Sequence, residues 1–114
     1  MTRAGLVLAG TLLLAGCVAT NRSAHGDYLA RDYVVDGVFT SGIEGPASGP
    51  DGALYVVNFA REGTIGRVVA GRNGLGLARL FATLPTGSIG NGIRFTADGR
   101  MLVTERNGTL RIVG

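Results

Sequence analysis

Short apolar, β-branched runs separated by glycine-containing turns pattern this chain from residue 33 onward. Residues 33–39 carry Val34, Val35 and Val38 and are interrupted by Asp36-Gly37. Leu54-Tyr55-Val56-Val57 is the next strong run, and Glu62-Gly63 turns the chain into Thr64-Ile65-Gly66-Arg67-Val68-Val69. Gly71-Arg72-Asn73-Gly74 marks a further turn ahead of residues 77–84. Three more runs, 92–95, 101–105 and 110–113, are separated by Asp98-Gly99 and Asn107-Gly108. Apolar runs bounded by Gly, Asn and Asp read as strands. Asn107-Gly108 reads as a two-residue hairpin turn, because both positions tolerate φ > 0. Outside the N-terminal leader no stretch keeps the period of an amphipathic helix. An all-β chain of hairpins is predicted.

The pattern also repeats. Glu44-Gly45-Pro46 leads through Asp51-Gly52 into Leu54-Tyr55-Val56-Val57-Asn58. Asn91-Gly92-Ile93 leads through Asp98-Gly99 into Met101-Leu102-Val103-Thr104-Glu105, 47 residues later at each point. A repeat of roughly 40 to 50 residues built from short strands and Gly-rich turns is the mark of a β-propeller blade. Residues 44–84 are then expected to form one four-stranded blade, with 33–39 as the outer strand of a preceding one. The second unit is expected to stop at its third strand, so residues 32–114 read as a partial propeller. Repeat units bury their faces on neighbours. The expected complement is further blades of a longer chain or, as the alternative, other copies.

The N-terminus has another character. Arg3 precedes an apolar stretch over residues 6–14, and Leu14-Ala15-Gly16-Cys17 follows. The stretch is short of the ~20 residues of a spanning helix. Small residues before a cut fit a processed secretory leader. The lone cysteine just after them resembles the lipobox of bacterial lipoproteins, which implies cleavage after residue 16 and lipidation of Cys17. Several acyl chains give stable membrane anchoring. Val18 after the cysteine favours the outer membrane of a Gram-negative cell envelope. Residues 17–31 turn small and polar and read as a tether. His25 lies in it without a second ligand at metal-binding spacing, which reads as a solvated linker histidine.

Charge adds little. All eleven basic residues are arginine, and the formal charge is +3. A scattered excess of that size excludes a nucleic-acid surface from the reading. One cysteine allows neither an internal disulfide nor a zinc site.

Glu44 and Asn91 stand at one repeat position, each expected just before an inner strand whose entry loop faces a central channel. A carboxylate and a carboxamide are hard-oxygen ligands suited to Ca²⁺ or Mg²⁺, although calcium takes about six to eight oxygens. Thr104 and Ser88 have no histidine partner close in sequence, which argues against a nucleophilic role. Residues 71–76 read as a hairpin turn and not a phosphate cradle, since no strand-to-helix step accompanies them. Asn58 and Glu105, ending equivalent strands, are expected to be solvated edge groups.

Glu44-Gly45-Pro46-Ala47, the stretch from Tyr55 through Gly66, and Gly87-Ser88-Ile89-Gly90-Asn91-Gly92-Ile93-Arg94-Phe95 resemble the senescence marker protein (regucalcin)/gluconolactonase/luciferin-regenerating enzyme family. The resemblance covers residues 35–113. It implies a six-bladed propeller with a divalent cation, usually calcium, in its channel, and hydrolysis of sugar lactones. It further implies that Glu44 ligates the metal and Asn91 lines the substrate pocket. The family's remaining ligands, including the aspartate that serves as base, have no counterpart here, so no catalytic residue is assigned. The chain reads as the N-terminal part of a lipid-anchored lactonase, inactive by itself. Two alternatives remain: a non-catalytic envelope binding module, and a quinone-dependent sugar dehydrogenase, whose blades the segment 101–113 resembles.

Overall fold

A computed structural model describes residues 29–114. The leader, Cys17 and His25 lie outside the described residues. From residue 44 onward the chain forms two antiparallel sheets. The first has the order β1 (Ala47–Ser48), β2 (Leu54–Val57), β3 (Thr64–Ala70), β4 (Gly76–Thr83). The second has the order β5 (Gly90–Phe95), β6 (Met101–Glu105), β7 (Leu110–Val113). All-β meanders are therefore correct. Among the described residues no helix is long and apolar enough to cross a membrane.

The repeat survives in three dimensions down to single hydrogen bonds. Ala47 pairs with Tyr55 in the first sheet, and Arg94 with Leu102 in the second. In the first turn Gly49 N donates to Ala53 O and Gly52 N to Gly49 O; Thr96 N to Arg100 O and Gly99 N to Thr96 O are the same bonds 47 residues on. Gly52 and Gly99 both adopt positive φ, 75° and 86°. A side chain there would crowd its own carbonyl, which is why the turn requires glycine. The next hairpin departs from the repeat. Tyr55 pairs with Arg67, but its counterpart Leu102 pairs with Ile112, two residues earlier than the offset predicts. The second unit has a shorter loop.

Strand alternation explains how the sheets stack. Tyr55, Val57 and Ile65 on one face of the first sheet meet Ile93, Met101 and Val103 on one face of the second, all buried. Tyr55 sits edge-on to Phe95 at 5.2 Å and to Phe81 at 4.9 Å. Each such aliphatic side chain stabilises the stack by roughly 1.5–3 kcal/mol. Gly90 permits the approach, because a Cβ there would stand 2.7 Å from Val57 Cγ1.

The expected outer strand at residues 33–39 does not form. Only Phe39 pairs, in a single bridge with Phe59. The Asp36-Gly37 turn, with Gly37 at φ 79°, breaks the run before a ladder can develop. Residues 31–46 instead make a strap across the far face of the first sheet. Gly76 N donates to Tyr33 O at 2.6 Å, and Ala60 N to Val38 O at 2.8 Å. The ring of Phe39 lies on Gly66 and that of Tyr33 on Gly76, each glycine leaving room for the ring.

Asn107-Gly108 is also not a two-residue turn. Glu105 N donates to Thr109 O and Gly108 N to Glu105 O. Only Gly108 takes positive φ, 85°, as in a three-residue loop closed by a left-handed glycine.

Candidate functional site

Antiparallel pairing brings the entry to β1, the exit of β2, the entry to β5 and the exit of β6 to one end of the stack. Gly45 holds the two entry segments together. It has φ 51°, and a Cβ on it would meet Asn91 O at 2.8 Å and Gly92 Cα closer still. Glu44 precedes β1 by three residues and is exposed. Asn91 lies inside β5 and not before it. The register passes from Gly90↔Glu105 to Gly92↔Thr104, which leaves Asn91 unpaired on a bulge and exposed. Bulges commonly re-aim a side chain in this way.

Gly45 thus sits on the backbone of Asn91 and Gly92, but Glu44 and Asn91 line different spaces. Glu44 borders a cavity of about 630 Å³ beneath the strap, floored by Leu54, Val56 and Val68. Asn91 borders one of about 390 Å³ on the far face of the second sheet, with Arg94, Leu102, Thr104 and Leu110. Among the described residues the cation nearest Glu44 is Arg106, whose Nη2 stands 3.9 Å from Oε1. Both side chains are about half exposed, so the pair contributes little.

A divalent cation needs more than these residues offer. Among the described residues no three His, Cys, Asp or Glu side chains gather at ligating distance. Glu44 supplies one carboxylate, beside a guanidinium. The described residues therefore fit one corner of a calcium site and not a complete centre.

Four polar residues are buried among the described ones, Asn58, Thr64, Ser88 and Glu105, and of these Asn58 and Glu105, at 1% and 5% exposure, were expected as solvated edge groups. Asn58 follows β2 beside the strap, and Glu105 is the last residue of β6. The Asn58 amide donates to Gly42 O at 2.7 Å, which ties the strap to β2. Glu105 accepts from Arg111 Nε at 2.5 Å across the β6–β7 hairpin. That hydrogen bond holds the Glu105 carboxyl below its ordinary value, against the upward push of burial. Ser88 and Asn107 approach and lower it further, yet among the described residues Oε2 completes no hydrogen bond; nor does Asn58 Oδ1. The 47-residue offset marked these two positions as equivalent, but it carried no sign of what would cover them. Thr104 Oγ1 reaches Gly92 O at 3.4 Å and is exposed, while Ser88 is buried.

At the opposite end Asp51 gathers Tyr55 and Arg67. Arg67 Nη2 stands 2.6 Å and Tyr55 Oη 3.0 Å from Asp51 Oδ2. The Arg67 hydrogen bond lowers the Asp51 carboxyl, and burial raises the Tyr55 phenol. This cluster pins the turn before β2 to β3. Comparison with protein-family models, curated proteins and solved structures yields no match.

Proposed function

We propose that this chain is the lipid-anchored N-terminal part of a β-propeller hydrolase that acts on sugar lactones with the help of a divalent cation, most naturally calcium. The observation that carries the reading is the close contact of Gly45, next to Glu44, with Asn91-Gly92 at one end of two stacked, repeat-related sheets. In this role the Glu44 carboxylate would hold one coordination position, in place of its 3.9 Å approach to Arg106. The Asn91 carboxamide, exposed on its bulge, would orient the lactone by hydrogen bonds after turning from the cavity it borders toward Glu44. When bound, the cation would polarise the lactone carbonyl. Residues beyond this pair must supply the other ligands and the base, so the chain alone is expected to bind without turning substrate over. Cys17 would carry the lipid and residues 18–31 the tether to the cell-envelope membrane.

Calcium titration of the full chain, followed by its thermal midpoint, tests the reading. Calcium should raise the midpoint, EDTA should reverse the rise, and Glu44→Gln should abolish it. A midpoint indifferent to calcium in the unaltered chain refutes the assignment of Glu44.

A binding module without catalysis is the second reading. The cavity beside Asn91 favours it, since a carboxamide, the Arg94 guanidinium and the Thr104 hydroxyl border leucine side chains there, a lining suited to holding a small polar molecule. Saturable lactone binding that persists in EDTA and involves Arg94 would select this reading over the first.

A further inference from the structure

Asn58 stands where the strap, the first sheet and the entry to the second sheet meet. Its backbone takes the left-handed conformation, φ 65°, which asparagine adopts more readily than most residues. The Asn58 N–H donates to Thr64 O at 2.7 Å, fixing the residue to β3, and its carbonyl accepts from Thr40 N at 3.0 Å. Thr64 is as buried as Asn58, and its hydroxyl donates to Arg61 O at 2.8 Å within the same loop. The Asn58 side chain then turns to two further carbonyls. Its Nδ2 lies 2.7 Å from Gly42 O and 3.5 Å from Gly90 O. An amide nitrogen carries two protons, one for each acceptor.

Those two carbonyls belong to the two segments that carry the candidate site. Gly42 is two residues ahead of Glu44, and Gly90 immediately precedes Asn91. The contact of Gly45 with Asn91 and Gly92 limits how closely the segments approach, but a steric contact has no preferred direction. Hydrogen bonds do, and weaken steeply when bent. One amide, 1% exposed and bonded to both segments, therefore opposes their sliding past each other.

We propose that Asn58 is a positioning residue, whose carboxamide sets the placement of Glu44 relative to Asn91 without touching a ligand itself. Its consequence for binding rests on the calcium reading of Glu44; the placement does not.

Two measurements test the role. In the full chain carrying Cys17→Ser, nitroxide labels at Glu44→Cys and Asn91→Cys should give a narrow dipolar distance distribution. Asn58→Gly, which tolerates the left-handed backbone and deletes the amide, should broaden it. Asn58→Asp, of the same shape without the donor, should do so too. Met101→Ala, which opens the seam at the far end of the stack, should not. In the unlabelled chain Asn58→Gly should weaken calcium binding about tenfold, the scale of one lost hydrogen bond, and Met101→Ala should leave it unchanged. A distribution already broad with Asn58 in place overturns the proposal. So does one that Asn58→Gly and Asn58→Asp leave narrow, or that Met101→Ala broadens equally. Calcium binding as tight in Asn58→Gly as in the unaltered chain overturns it as well. A chain indifferent to calcium before any substitution refutes the Glu44 reading alone, and the labels then decide the placement by themselves.

Discussion

Glu105 shows what a single residue contributes when a strand end is covered. Its carboxyl is lowered from the ordinary 4.5 mainly by the Arg111 hydrogen bond. A lowered folded-state value means the contribution is fully present above the ordinary value and lost as pH falls through the folded value. Acid should therefore destabilise the chain below about pH 4.5, and Glu105→Gln should flatten that part of the profile. Denaturant unfolding over a pH series measures it, and identical profiles would discount the pair. Gly45 is the second telling residue. Gly45→Ala forces an alanine into positive φ and drives its methyl group into Asn91 and Gly92. A loss of about 1–3 kcal/mol or more in urea unfolding is expected. An unshifted midpoint would mean that the two entry segments do not touch.

At the scale of elements, the strands were legible because β-branched runs between glycines leave few other solutions. Leu54–Val57, Met101–Glu105 and Leu110–Val113 fall where the apolar pattern put them. The run at residues 33–39 was misleading, since composition favoured a strand while Asp36-Gly37 broke the ladder and the strap found partners at Gly76 and Ala60. Turn type was misread for a related reason. Asn107-Gly108 permits two left-handed residues, but the register of β6 on β7 uses only Gly108. Gly108→Ala should therefore cost about 1–2 kcal/mol. Asn107→Ala, which removes the 3.0 Å bond from Thr109 N, should cost about 0.5–1.5 kcal/mol. A loss at Asn107 larger than that at Gly108 would contradict the three-residue loop.

At the scale of the whole molecule, stability comes from one seam between two sheets. Ile93→Ala, at 1% exposure in that seam, should cost about 2–5 kcal/mol and lower the unfolding of both sheets together. Leu77→Ser on β4, 49% exposed, should change stability by no more than about 0.5 kcal/mol. Circular dichroism in urea separates the two outcomes. The sequence by itself determined the all-β class, most strand positions and the 47-residue repeat, because these follow from local alternation and from glycines that turns demand. Only the tertiary structure decided that Asn58 and Glu105 are buried and that Glu44 and Asn91 face different cavities. It also decided that residues 33–39 form a strap. Those outcomes depend on which surface comes to rest on which, and residue order does not encode that pairing locally.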